Sequence, residues 1–353
     1  MLTLLLCTVL AAAASLALMP RIIVRLYRRR VMDIPNQRSS HRHPVPRGGG
    51  LGVLAVLLAG LGLATLLGAV QDRSLAAALA GGALLLGLLG FLDDLYSLPA
   101  LLRLVAQLLV AGGCLRLAGV TLVRMDLPLL GSWETGAAGF WLAALWVVGF
   151  TNMFNFMDGI NGMAGWQAIL GGLGLGLLGR ATGRPDLALV GGLTAGATVG
   201  FLRWNFPRAR VFLGDVGSLP LGFVLAMSVL AVHDLPGAAT IPVWVPVLMV
   251  WPVFFDAGYT LVNRAVHRRN PFHAHRSHLY QRLVVAGASH EAVSLAYAAW
   301  LAVTAAIALW SRDHPVSGGR LFWVVVVVSL AWAVRTAVRV RASMTTAGNG
   351  GGH

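Results

Sequence analysis

Asp93 and Asp94 stand side by side at the end of an apolar run in FLDDLYS. Adjacent carboxylates repel each other unless a cation or a proton lies between them. If the run is helical, the two side chains point about 100° apart. Both can then border one cavity while facing different ligands, such as a metal for one and a reacting group for the other. In NFMDGINGMAG, Asn155 and Asp158 are spaced i, i+3, share a face if that stretch is helical, and both offer oxygen ligands. Asn161 and Gly162 continue the string, and its glycines would let a backbone or phosphate come close. Asp215 lies between Gly214 and Gly217 in FLGDVGSLPLGF, downstream of Arg203, Arg208 and Arg210. An acid at that position could also be a plain helix N-cap.

Two basic strings complete the inventory. DIPNQRSSHRHPVPRGGG carries Arg38, Ser39, Ser40, His41, Arg42 and Arg47 ahead of three glycines, and such a loop can donate many hydrogen bonds to phosphate oxygens. FFDAGYTLVNRAVHRRNPFHAHRSHLYQRL mixes Asp256 with Arg264, Arg268, Arg269, Arg276, His273, His275 and His278. Three histidines could suggest zinc, but no cysteine accompanies them and arginines surround them. Those arginines could also hold the anionic inner leaflet of a membrane. An Asp- and Arg-lined site of this composition suits magnesium-dependent chemistry on phosphates.

Composition says what must position these groups. Of 353 residues, 57% are hydrophobic and 11% charged, less than half the charged share of an ordinary soluble domain. The sequence therefore reads as an all-α integral membrane protein, a polytopic bundle of about eleven helices. Helices are expected near residues 2–20, 48–70, 75–92, 100–120, 137–153, 163–179, 186–203, 216–233, 239–262, 292–310 and 321–338. Residues 1–342 make one membrane domain, and the Gly-rich tail 343–353 is expected to be disordered on the cytoplasmic side. No positive segment precedes the first apolar run and RIIVRLYRRR follows it, so a retained helix fits better than a cleaved signal. Cys7 and Cys114 have no disulfide or metal spacing.

The net charge is +14, and all 27 basic residues are arginine. They form no stripe interleaved with exposed aromatics, so no nucleic-acid partner is expected. Sorted by loop, nineteen follow odd-numbered helices and seven follow even-numbered ones, with Arg103 left inside the fourth helix. The positive-inside rule then puts the N-terminus outside and the C-terminus in the cytoplasm. Asp33, Asp93, Asp94, Asp158, Asp215, Asp256 and Glu291 fall at the cytoplasmic ends. Asp72, Asp126, Glu134, Asp186, Asp234 and Asp313 fall outside and read as solvated loops. Gly174, Gly176 and Gly179 fit GxGxxG but lie in an apolar run, where helix packing explains them better than a dinucleotide site. A lipid or sugar transporter would place polar groups near mid-bilayer in broken, repeated helices, whereas these acids gather at one face.

In this order the motifs DIPNQRSSHRHPVPRGGG, FLDDLYS, NFMDGINGMAG, FLGDVGSLPLGF and PFHAHRSHLYQRL resemble the polyprenyl-phosphate N-acetylhexosamine-1-phosphate transferases, glycosyltransferase family 4, from about residue 33 to about 283. The first and third look closest to the O-antigen-initiating branch. The resemblance implies a UDP-N-acetylhexosamine donor, an undecaprenyl phosphate acceptor, release of UMP, and Mg2+, with Mn2+ as its substitute. It implies a multi-pass protein of the bacterial inner membrane with its site facing the cytoplasm, and a homodimer is a candidate assembly. By position, Asn155 and Asp215 match the family's metal ligands. Asp93 and Asp94 match its paired acids, and Asp158 a further acid of the site. The substrate-binding candidates are Arg38, Ser40, His41, Arg47, Asn161, Arg276 and His278. HLYQ replaces the family's HxHH, leaving only its first histidine, and the HHH loop of the phospho-MurNAc-pentapeptide transferases is absent, as is their first-loop lysine. That alternative branch is therefore the weaker match.

Overall fold

A computed structural model of the protein describes residues 1–35, 43–234, 241–268 and 277–349, with side chains to Val340. The long helices are α1 (Leu2–Arg28), α2 (Gly50–Leu66), α3 (Arg73–Tyr96), α4 (Ala100–Ala118), α5 (Ala138–Phe156), α6 (Met163–Ala181), α7 (Pro185–Asn205) and α8 (Asp215–His233). Then come α9 (Trp244–Val247), a 3-10 turn over Leu248–Val250, α10 (Trp251–Val266), α11 (Leu279–Val285), α12 (His290–Ser311) and α13 (Pro315–Asn349). Among the described residues, nine helical segments are long and apolar enough to cross a membrane, Trp244–Val266 counted as one. The chain is an all-α polytopic membrane protein. Its only described strands are two short pairs, β1 (Met32–Asp33) with β2 (Val45–Pro46), and β3 (Arg124–Leu127) with β4 (Gly131–Glu134).

α8 is the axis of the bundle. Every residue from Val216 to His233 is buried, as expected of a helix apolar all round. α3 and α5 run along it, while α7 lies between α1 and α6. Small residues set these approaches. Ideal Cβ atoms on Gly196 and Gly90 would lie 2.2 Å from the Thr8 and Asp215 carbonyl oxygens respectively. Gly174, Gly176 and Gly179 meet Met249, Leu187 and Ala188, so the GxGxxG string is a packing face.

The element pattern departs from the expected one in four places. α2 ends at Leu66, because Leu67 caps it and Gly68 turns with φ +69°. The expected helix over 239–262 is interrupted at Leu248–Val250 and restarts at Trp251 with Pro252 in its first turn, where a missing N–H costs nothing. α11 carries no strong apolar period, and the sequence reading did not place it. α13 continues to Asn349, past the expected boundary at 342.

At the end of the bundle remote from Asp93, the acids expected to be merely solvated are ordered. Asp186 is buried and accepts from the Gln71 and Asp72 N–H groups at 2.9 and 2.7 Å. Arg184 joins Asp72 (3.1 Å) to the Asp234 carbonyl (2.7 Å), and the Asp234 carboxylate accepts from Thr121 N–H at 2.9 Å. These bonds tie the ends of α3, α4, α7 and α8 together, because buried backbone groups at helix ends need partners.

Candidate active site

α3 is closed by a left-handed Ser97, with φ 51°, whose N–H bonds to the Asp93 carbonyl. The Asp93 side chain reinforces this stop by accepting from the Leu98 N–H at 2.8 Å. Its second oxygen pairs with Arg103 in the first turn of α4. Asp94 points elsewhere, as adjacent helical residues must. It accepts from the N–H groups of Asp215 and Val216, both at 3.1 Å.

Asp94, on a different helix, thus caps the start of α8. Asp215 is consequently not the N-cap; Gly214, with φ +74°, holds that position. The Asp215 carboxylate is released for other contacts: Arg47 Nη2 at 2.9 Å and Arg103 Nη1 at 3.8 Å. Arg47 also reaches Asp94 at 2.8 Å, so one guanidinium joins the acids of α3 and α8. Asp94 and Asp93 keep only 3% and 7% of their side-chain surface, against 37% for Arg47 and 35% for Arg103. The acids form the floor and the arginines the rim.

Arg47 is placed by backbone. Its N–H bonds to the Val31 carbonyl, Phe212 N–H bonds to the Pro46 carbonyl, and Gly49 N–H bonds back to Phe212. The approach requires glycine, since an ideal Cβ on Gly50 would fall 2.3 Å from Gly217 Cα. The GGG after Arg47 is a seat for the FLGD turn.

The NFMDGING segment closes the third side. α5 ends at Phe156, so Asn155 lies in its last turn and Asp158 just beyond it, where the Asp158 N–H folds back onto the Asn155 carbonyl at 3.1 Å. Asn155 donates to the Ser218 hydroxyl at 2.8 Å, one turn along α8 from Asp215. Asp158 accepts from the Gly214 N–H and lies in the field of Asp215, Arg47 and Asp94. Withdrawal from water pushes its carboxyl well above the usual aspartate range, and Asp215 adds to the rise while Arg47 opposes it. Asn161 donates to the Pro207 carbonyl at 3.0 Å, and Gly162 N–H bonds to Asn205. Both bonds fix the loop. His278 is buried and paired with Asp256.

The structure therefore brings Asp93, Asp94, Asp158, Asp215 and Arg47 into one cluster, with Asn155 one turn away. Arg38, Ser40, His41 and Arg276 lie outside the described residues. Arg103 is the residue sequence reasoning missed. Its position within an apolar run hides it, and only the SLP turn before α4, which brings that helix's first turn level with Asp93, could have signalled its place.

Among the described residues, no three His, Cys, Asp or Glu side chains form a ready metal cage. The donor set still fits a hard divalent cation. Asp158 and Asp215 are carboxylates in each other's field, Asn155 offers an amide oxygen, and a cation would relieve the repulsion that raises Asp158. The arrangement can also bind anions at the Arg47 and Arg103 rim and take a proton on an acid of the floor.

Residues 76–233 match the family described as glycosyl transferase family 4. A probable undecaprenyl-phosphate N-acetylglucosaminyl 1-phosphate transferase of Bacillus subtilis is 29% identical over 73% of this chain and 71% of its own length. The decaprenyl-phosphate N-acetylglucosaminephosphotransferase of Mycobacterium tuberculosis is 30% identical over 77% of this chain and 73% of its own. A phospho-N-acetylmuramoyl-pentapeptide-transferase of Streptococcus equi is 33% identical, but over only 40% of this chain and 44% of its own.

Proposed function

Given that the chain belongs to the polyprenyl-phosphate sugar-1-phosphate transferases of glycosyl transferase family 4, we propose that it moves an N-acetylhexosamine 1-phosphate from a UDP-sugar to undecaprenyl phosphate. The products are undecaprenyl-diphospho-sugar and UMP, which begins O-antigen or another cell-envelope polysaccharide. N-acetylglucosamine is the favoured sugar, after the names of the fuller-length relatives. The site faces the cytoplasm of a bacterial inner membrane, following the arginine distribution.

The observation that carries this reading is the joining of acids from α3, α8 and the NFMDGING turn under a two-arginine rim. Donor diphosphate and lipid phosphate are both anions, and their repulsion must be offset before they meet. Arg47 and Arg103 bind phosphate oxygens at the rim. Asp94 has both oxygens engaged by the start of α8 and by Arg47, so it holds the floor in shape. Asp93, whose oxygens accept from the Leu98 N–H and meet the half-buried Arg103 of the rim, is the acid that takes the proton of the lipid phosphate. An oxygen of that phosphate then bonds to the sugar-linked phosphorus as the bond to the UMP oxygen breaks. Asn155, Asp215 and Asp158 would hold Mg2+, which when bound neutralises the diphosphate and the departing UMP.

The test is UMP release by the purified protein in detergent with undecaprenyl phosphate, Mg2+ and a panel of UDP-N-acetylhexosamines and UDP-MurNAc-pentapeptide. Turnover with an N-acetylhexosamine donor, lost on chelation with EDTA, is expected. A folded protein inactive with every donor overturns the proposal, and turnover with the pentapeptide donor alone moves it to the peptidoglycan branch.

A further inference from the structure

α2 and α3 touch on the side of the acid cluster, where an ideal Cβ on Gly87 would lie 2.3 Å from Leu54 Cδ2. Toward the far end of the bundle they part, and Cβ atoms on Gly62 and Gly81 would meet nothing within 4 Å. The parting leaves a groove of about 500 Å³, whose walls run from Leu58 to Leu66 on α2 and from Arg73 to Leu84 on α3. Leu66 and Leu84, both exposed, border its opening. α2 widens the gap by being short: its 17 residues rise about 25 Å, less than the ~30 Å hydrocarbon core of a bilayer.

The chemistry of the walls narrows the occupant. Apart from Arg73, the polar side chain of the lining is Thr65, and its hydroxyl donates to the Leu61 carbonyl at 2.8 Å. Such walls suit hydrocarbon and leave a peptide, nucleotide or sugar without hydrogen-bond partners. The length suits one acyl chain. The helix rise from 58 to 66 is about 12 Å and from 73 to 84 about 16 Å, close to one leaflet of a ~30 Å core. Arg73 stands at the headgroup end. It is exposed, and among the described residues it pairs with no carboxylate. The adjacent Asp72 is instead engaged by Ser74, Leu75 and Arg184. A cation at a helix N-terminus is also disfavoured by the macrodipole, and a phosphate anion relieves both conditions.

We propose that this groove binds one anionic glycerophospholipid from the leaflet remote from the acid cluster, with an acyl chain between α2 and α3 and the phosphate paired with Arg73. The site is separate from the transfer chemistry, since Asp93 and Asp94 lie at the opposite end of α3. The chain fills the space that two glycines leave open, and the guanidinium sets the preference for a negative headgroup.

The test uses the full-length protein, delipidated in detergent, titrated with phosphatidylglycerol or phosphatidylcholine and read by native mass spectrometry and Tm. One phosphatidylglycerol per chain is expected, bound about 3- to 10-fold more tightly than phosphatidylcholine and raising Tm. Arg73→Gln should erase the preference and keep the lipid-free Tm. Arg320→Gln, an exposed change at the same end of the bundle, should leave the preference intact. Gly81→Leu fills the groove and should abolish saturable binding of both lipids without lowering the lipid-free Tm. If it does not fold, Gly62→Leu fills the same space from α2. A preference that survives Arg73→Gln, or binding that survives the filled groove, overturns the proposal. So does a wild type that holds a polyprenyl chain or a second copy of itself there instead, released by Gly81→Leu.

Discussion

Asp94 and Asp215 are both aspartates of one cluster, yet their surroundings give them separable roles. Asp94 satisfies two N–H groups at the start of α8, so Asp94→Asn turns an amide NH2 toward a backbone donor and loses Arg47. That change should cost about 1 kcal/mol or more of stability, seen as a lowered Tm in detergent, together with lost turnover. Asp215→Asn leaves both backbone bonds in place and should keep the wild-type Tm while abolishing Mg2+-dependent UMP release. The opposite pattern would exchange the cap and ligand assignments. Asp158 supplies a pH signature. Because its folded carboxyl is raised, the folded state holds the proton more tightly than the unfolded chain. Its stabilising effect is present below the ordinary aspartate value and is lost as pH rises toward the raised value. Without divalent ions, Tm should therefore fall as pH rises across that window. Adding Mg2+ should restore more stability at the upper end than at the lower, since cation and proton compete. In Asp158→Asn, scanning calorimetry should show both effects flattened.

At the scale of elements, the site depends on how closely α3 crosses the start of α8. An ideal Cβ on Gly90 would lie 2.2 Å from the Asp215 carbonyl oxygen, which has no flexible side chain to yield. Gly90→Ala should push the helices apart, lower stability by about 1–3 kcal/mol and reduce turnover by displacing Asp215 from Asp93 and Asp94. Gly81→Ala, in the same helix with nothing within 4 Å of its Cβ, is the control and should leave both near wild type. This dependence on crossings explains what the sequence made legible. The apolar runs mark the helices because bilayer thickness fixes their length, and the DD, NFMD and FLGD strings mark acids at helix ends. What a linear string hides is a partner in another element. That Asp94 caps α8 and that Asp256 organises α11 follow from crossings that no local spacing encodes, whereas Arg103 reaches Asp93 across the SLP turn. The break at Leu248–Val250 was missed for the opposite reason, since apolar runs look alike whether the helix continues or restarts.

For the whole molecule, the two ends of the bundle use charge differently. The site end collects the clustered acids and the arginines of α1, α7 and the RGGG seat, whereas the far end has a closed network of Asp72, Arg184, Asp186 and Asp234 tying four helices. Asp72 accepts from Ser74, Leu75 and Arg184, contacts that outweigh its partial burial and lower its carboxyl below the usual range. A closed network keeps its shape without ligands, while an open arginine rim needs an anion. If the site faces the cytoplasm, nucleotide meets the rim and the lipid phosphate arrives within the inner leaflet. On a background with Cys7 and Cys114 replaced by serine, cysteines at Arg208 and Asp313 report the two ends. Both positions are exposed. A membrane-impermeant maleimide applied to intact cells should label Asp313→Cys and spare Arg208→Cys until the membrane is opened. The reverse labelling would place the acids outside, where no cytoplasmic UDP-sugar could reach them, and the proposed reaction could not occur in that orientation.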